Sequence, residues 1–202
     1  MSAPPAQVTT LPLPAAPVNV VLTVNSSTEV TVTWSENIPT NGLPIKYYYI
    51  FRGTSPTGLT KLATRTAAPF VDTGDSPNTT YYYAIEAIDT SYDVSPMSAT
   101  AQVTTPPMPA ASANVVATAN SSTADTVTWS ESIPTNGLPI KYYYIFRGTS
   151  PTGLANLATR TASPFIDTGV SANTTYYYAI EAVDTGGDVS PLSATAQVTT
   201  PN

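Results

Sequence analysis

The sequence predicts an all-β protein built from two β-sandwiches in tandem. Three observations predict it: a repeat of 95 residues, side-chain alternation with a period of two inside each repeat, and turn signals at short, regular intervals. Trp34 recurs as Trp129, Phe70 as Phe165 and Pro96 as Pro191, each 95 residues on. Residues 15–104 align with 110–199 without a gap and differ at 17 of 90 positions. Gln7-Val8-Thr9-Thr10 repeats as Gln102-Val103-Thr104-Thr105 and as Gln197-Val198-Thr199-Thr200, where it closes a repeat. Residues 1–13 therefore read as the tail of a preceding repeat or a linker, 14–105 as the first domain, and 106–202 as a short proline-rich linker and the second domain. The linker, Thr104-Thr105-Pro106-Pro107-Met108-Pro109, is expected to be extended and semi-rigid.

Each element has a local reason. Val30-Thr31-Val32-Thr33-Trp34 alternates apolar and polar residues, as a half-buried strand does. Ile45 to Arg52 and Thr80 to Thr90 are two longer strands rich in aromatic and β-branched residues. Gly42-Leu43-Pro44, Ser55-Pro56-Thr57-Gly58 and Asp72-Thr73-Gly74 supply the turns between strands. No segment carries a helical period.

These residues resemble a fibronectin type III domain of the bacterial extracellular kind. Trp34 sits at the family's strand-B tryptophan. Pro44 to Arg52 resembles strand C, with Tyr48 and Ile50 on the core parity, and Pro77 to Ala87 resembles the E–F corner and strand F. Ser95-Pro96-Met97-Ser98 resembles the start of strand G, and Tyr81 occupies the tyrosine-corner position, whose hydroxyl bonds to nearby backbone. The resemblance implies two seven-stranded immunoglobulin-like sandwiches. It also implies a spacer or interaction role beside the catalytic and carbohydrate-binding parts of a secreted enzyme, or in an adhesin. One position departs from the family: Asp75, and Val170 in the second repeat, stand where a leucine is usual. The first E–F loop is then expected to be the less well plugged, with the second repeat's gain offset by Asp125 in place of Val30.

Composition removes whole classes of chemistry. Charged residues make up 10% of the chain against a usual ~25%. The chain lacks cysteine and histidine, so disulfides, thiolate sites and imidazole acid–base catalysis are excluded. Seven basic residues and a net charge of −6 argue against nucleic acid and anionic lipid as partners. No stretch is apolar for the ~20 residues that a membrane span needs, and Met1-Ser2-Ala3-Pro4-Pro5 lacks the basic start and apolar core of a signal peptide. There is no Gly-x-Ser-x-Gly elbow and no phosphate-binding glycine loop. Glu36, Glu86 and Asp89 are expected to be solvated surface carboxylates. Asp72/Asp75 and Asp89/Asp93 are expected to serve turns in preference to calcium. Arg52-Gly53 is followed by Thr54, so the Arg-Gly-Asp motif known in the family is missing. The sequons at Asn25, Asn78, Asn120 and Asn173 fit turn preference as well as glycosylation. Neither catalytic residues, nor a metal, nor a cofactor is expected.

Tyrosine is the remaining signal. Twelve of the 13 tyrosines fall in four triplets, 47–49, 81–83, 142–144 and 176–178. Parity places Tyr47, Tyr49, Phe51 and Tyr82 on the outer face of the first sandwich, and Tyr142, Tyr144, Phe146 and Tyr177 on that of the second. Such a stripe is either a cross-strand ladder that stiffens the sheet or a surface for sugar rings or protein. Three functions are therefore set side by side: a non-catalytic spacer whose partners are neighbouring domains, a polysaccharide-binding module, and a self-assembling adhesin or filament subunit.

Overall fold

A computed structural model describes residues 9–202. The chain divides into two compact units, the second beginning at Pro106. In the first unit the strands are β1 (Val18–Ser26), β2 (Glu29–Ser35), β3 (Ile45–Gly53), β4 (Thr60–Arg65), β5 (Phe70–Asp72), β6 (Thr80–Asp89) and β7 (Ala101–Thr104). In the second they are β8 (Ala113–Ser121), β9 (Ala124–Ser130), β10 (Ile140–Gly148), β11 (Ala155–Arg160), β12 (Phe165–Asp167), β13 (Thr175–Asp184) and β14 (Ala196–Thr199). There is no helix among the described residues, so the all-β expectation of two seven-stranded units holds. Of the first copy of the Gln-Val-Thr-Thr motif, Gln7 and Val8 lie outside the described residues, and Thr9 and Thr10 are exposed.

Each unit is a sandwich of a three-stranded sheet on a four-stranded one, β1-β2-β5 on β4-β3-β6-β7 in the first and β8-β9-β12 on β11-β10-β13-β14 in the second, and all pairings are antiparallel. β4 follows β3 into the four-stranded sheet, the arrangement of a fibronectin type III sandwich. The period-two pattern decides which side chains face inward. Val30, Val32 and Trp34 of β2 meet Tyr48 and Ile50 of β3 and Tyr81, Tyr83, Ile85 and Ala87 of β6. Trp34 is 8% exposed and Trp129 6%, and each packs edge-on to a tyrosine, Tyr48 or Tyr143, at 5.2 Å. Ile50 and Ile85 are fully buried, and burial of such side chains is worth about 1.5–3 kcal/mol each.

The expected start of the last strand needs correction. Ser95 to Ser98 lie outside the strand ladder, and β7 begins at Ala101. The reason is that two serine hydroxyls replace backbone partners. Ser95 Oγ accepts the Ala87 N–H at 2.8 Å and Ser98 Oγ accepts the Ile85 N–H at 3.0 Å. The N–H groups of the same serines donate to the Ala87 and Ile85 carbonyls. With a proline between them, the serines satisfy β6 without forming a regular strand.

The tyrosine corner is present in both units. Tyr81 Oη accepts the Ser76 N–H at 2.9 Å, and Tyr176 Oη accepts the Ser171 N–H at 3.0 Å. Thr105 closes the same loop from the unit's end: its hydroxyl donates to the Ser76 carbonyl at 2.6 Å and accepts the Thr79 N–H at 3.0 Å. The sequon asparagines have structural uses. Asn78 and Asn173 adopt φ of +50° and +51° in this loop, a conformation asparagine tolerates. The Asn25 and Asn120 amides donate across the hairpin to Thr31 and Thr126.

Tyr81→Phe is expected to destabilise the first unit by about 1 kcal/mol, because the Ser76 N–H that closes the E–F loop loses its acceptor. Tyr82→Phe should change stability by a few tenths at most. Chemical denaturation of both variants checks this, and equal losses would show that the hydroxyl does not hold the loop.

Candidate functional site

The outer face of the four-stranded sheet carries the aromatic residues as a row. Tyr47, Tyr49 and Phe51 follow one another on β3, spanning about 13 Å at ~3.3 Å per residue. Tyr82 extends the row from β6, where it stands across from Gly53. Gly53 has no room for a side chain: a Cβ there would meet the Gly58 carbonyl oxygen at 2.5 Å. Tyr82 thus covers a bare stretch of neighbouring backbone, a use of cross-strand aromatics known to stabilise sheets.

The four rings are half-buried, so the row is less open than parity alone suggests. Ala84 and Ile88, outward-facing on β6 across from Phe51 and Tyr47, are 0% and 1% exposed beneath it. Tyr47 and Tyr49 contact each other at 5.4 Å with hydroxyls 3.4 Å apart, a contact that pushes the Tyr47 phenol above its ordinary range. Lys61 Nζ stands 3.2 Å from the centre of the Tyr49 ring and covers that face. In the second unit Tyr142 and Tyr144 meet at 5.2 Å in a T-shaped pair, with Phe146 and Tyr177 continuing the row. Asn156 there replaces Lys61, so Tyr144 has no ammonium over it.

A second constellation, inside the sandwich, was not anticipated. Arg52, on the core parity at the end of β3, reaches across to the other sheet. Its Nη1 donates to Asp72 at 2.8 Å and to Asp75 at 2.9 Å, and its guanidinium lies 4.9 Å from the Tyr81 ring centre. Tyr83, fully buried, shares its hydroxyl proton between Asp72 at 2.9 Å and Asp75 at 3.1 Å. Asp75 therefore leaves no gap in the E–F loop: a polar network replaces the expected leucine.

The second unit builds the same cluster from a different position. Val170 replaces Asp75 and joins the apolar core. The second carboxylate comes instead from Asp125 on β9, which pairs directly with Asp167 on β12. Tyr178 Oη donates to Asp167 at 2.8 Å and to Asp125 at 3.0 Å, while Arg147 pairs with Asp167 at 2.7 Å and donates to the Gly169 carbonyl at 3.0 Å. Asp125 is fully buried and its Oδ1 has no partner. The reciprocal exchange of valine and aspartate at these two positions is the one trace this cluster leaves in the sequence.

The remaining acids serve structure. Asp89 is 1% exposed, contrary to the solvated surface expected for it. Its Oδ1 accepts the Ser91 N–H at 2.8 Å and the Asp93 N–H at 3.0 Å, which fixes the loop after β6. Glu36 accepts the Tyr48 hydroxyl at 2.8 Å, and Glu86 is half-buried across from Tyr49. Among the described residues no three His, Cys, Asp or Glu gather as metal ligands.

Burial is the chief cause that raises the carboxyl groups of Asp75, Glu86, Asp125 and Asp184 above the ordinary range, with Asp72 and Asp167 adding to it at Asp75 and Asp125. A folded state that keeps protons the unfolded chain releases is stabilised by acid. This contribution is complete below the ordinary aspartate value of about 3.9 and is lost as pH rises through the raised folded-state values. The thermal midpoint is expected to gain from these groups as pH is lowered from about 7 toward the ordinary carboxylate range of about 4, and Asp75→Asn with Asp125→Asn should remove that gain. A variant whose midpoint follows the wild type's pH dependence over the same interval would contradict it.

No family model matches the chain. It is 35% identical over 193 residues to Exoglucanase B of Cellulomonas fimi, covering 93% of this chain and 17% of that protein. It is 27% identical over 194 residues to Chitinase A1 of Niallia circulans, covering 93% and 26%. It is 32% identical over 167 residues to Endoglucanase B of Cellulomonas fimi, covering 79% and 15%. The chain thus spans between 15% and 26% of the length of these curated relatives. Among solved structures, the FN1–FN3 domains of chicken CNTN1 superimpose on 95% of this chain and 69% of that one, with a TM-score of 0.50 at 20% identity. With this fold likeness, the strand order of both sandwiches and the tyrosine corner in each, the chain has the fold of two fibronectin type III sandwiches in tandem.

Proposed function

We propose that the chain is a non-catalytic tandem module of a larger, secreted polysaccharide-degrading enzyme, in which its partners are the neighbouring domains. The observation that carries this reading is the pattern of coverage. Nearly the whole chain matches an exoglucanase and a chitinase, two enzymes named for different polymers, yet it spans only 17% and 26% of them. A segment shared by enzymes of different specificity does not set the specificity. The chain's own chemistry agrees: its buried carboxylates are held by an arginine, a tyrosine or a turn, and it has no histidine or cysteine. Placement outside the cell belongs to the same proposal, because polymers such as chitin are degraded where they lie.

The chain alone is expected to release no reducing sugar from carboxymethylcellulose, xylan or colloidal chitin above a heat-denatured blank. Release that scales with folded protein would overturn the reading.

A second reading, contact with the polymer through the aromatic row, is supported by the shared face of the four rings in each unit. The second unit is the better candidate, because Asn156 leaves the Tyr144 ring uncovered. On this reading the wild type co-sediments with insoluble cellulose, chitin or xylan. The folded triple variant Tyr142→Ser, Tyr144→Ser, Tyr177→Ser loses more binding than Tyr47→Ser, Tyr49→Ser, Tyr82→Ser. If the wild type binds none of the three polymers, the row is scaffolding.

A further inference from the structure

The two units are near-copies, and tandem near-copies face a specific hazard. The first strands of one unit can complete the sandwich of the other, which traps the chain in an exchanged form. With 73 of 90 aligned positions identical, most side chains would fit equally well in either partner. The buried acid cluster is where they would not fit.

Within each unit the cluster counts two carboxylates against one guanidinium and one phenol. In the first, position 30 is valine and position 75 aspartate; in the second, the equivalent positions 125 and 170 are aspartate and valine. Both alternatives reach the buried tyrosine, Asp75 at Tyr83 and Asp125 at Tyr178, though only Asp75 also pairs with the arginine. Val30 pairs with Asp72 on β5 just as Asp125 pairs with Asp167 on β12, and Asp75 follows Asp72 by three residues. A third position changes in step: Val24 stands across from Val30, and Ala119 across from Asp125.

We propose that this reciprocal placement of the second buried carboxylate is a barrier to strand exchange between the two units. Take any exchange whose crossover falls between positions 30 and 75. One product joins β1–β2 to β10–β14 and brings Val30 together with Val170. Its cluster keeps a single carboxylate, Asp167, beside Arg147 and Tyr178. The other product joins β8–β9 to β3–β7 and brings Asp125 together with Asp72 and Asp75. It buries three carboxylates against Arg52 and the one proton of Tyr83. Buried carboxylates that exceed their partners are strongly unfavourable, so this product is the one excluded. Because strand exchange makes both products at once, excluding one excludes the pair.

The test uses the full two-unit chain. Val30→Asp with Asp75→Val gives the first unit the arrangement of the second, and Asp125→Val with Val170→Asp does the reverse. Either double variant gives the two clusters the same arrangement of carboxylates, and exchange then carries no excess of buried charge. The fourfold variant swaps the arrangements between units and restores the mismatch. Each chain is unfolded in denaturant and refolded by dilution. Trapped species are counted by interrupted-refolding fluorescence of Trp34 and Trp129, and dimers by size exclusion. The exchanged fraction is expected to rise by about tenfold in both double variants and to return to the wild-type level in the fourfold variant. No rise in the double variants would overturn the proposal. So would a fourfold variant that traps as much as they do, since loss of native stability would then be the cause. If one double variant fails to fold, its mirror supplies the comparison. If both fail, the arrangements are not interchangeable, and the proposal falls.

Discussion

The ion pair between Arg52 and Asp72 joins two sheets whose facing surfaces are otherwise mainly apolar. Arg52 leaves β3 in the four-stranded sheet and Asp72 ends β5 in the three-stranded one, so their 2.8 Å contact fixes one end of the sandwich. A charge so placed cannot stand alone. Its counter-charges must be bonded, and Tyr83 is recruited from the middle of β6 to donate to them. The guanidinium then rests over the Tyr81 ring, whose own hydroxyl holds the E–F loop. Ion pair, tyrosine corner and loop form one continuous set, repeated in the second unit with Arg147, Asp167, Tyr178 and Tyr176.

That continuity explains why a position the family usually fills with an apolar side chain can hold aspartate. Leucine would plug the loop by burying area. Asp75 plugs it with directed bonds to Arg52 and Tyr83. The second unit uses Val170 for the apolar plug and keeps the second carboxylate at Asp125, at the cost of an Oδ1 without a partner. Two solutions to one packing problem coexist in a single chain. Both leave more acid than base inside, and burial there raises the carboxyl groups of Asp75 and Asp125 above the ordinary range.

Much of the fold was legible in the sequence, because a period of two and a 95-residue repeat do not depend on distant contacts. Trp34, Tyr48, Ile50 and the inward side of β6 followed from parity together with the family resemblance that says which parity faces the core. The aromatic row was legible as a set but not in its exposure. Alternation says which face a ring leaves from, and only the packed structure shows Lys61 over Tyr49 and Ile88 buried beneath the row. Asp89 was misread because a loop aspartate that bonds backbone N–H groups looks, in sequence, like one that bonds water. The acid cluster stayed hidden because its members lie as far apart as Arg52 and Asp75, and nothing local to Arg52 announces an inward-pointing charge. The serine segment before β7 was taken for strand because a hydroxyl standing in for a carbonyl leaves no mark in an alternation pattern.

That serine segment has a consequence for proteins that carry many such units. A strand at the border of a sheet normally presents a free row of amide and carbonyl groups, and copies tethered at high local concentration are well placed to zip together along it. Here β6 is capped over Ile85 to Ala87 by Ser95 and Ser98, whose side chains are bent back onto their own neighbours' carbonyls, Pro96 and Ala99. What remains of the border, β7, is four residues long. On this side the sheet ends in a short, interrupted border that offers little for a second sheet to continue.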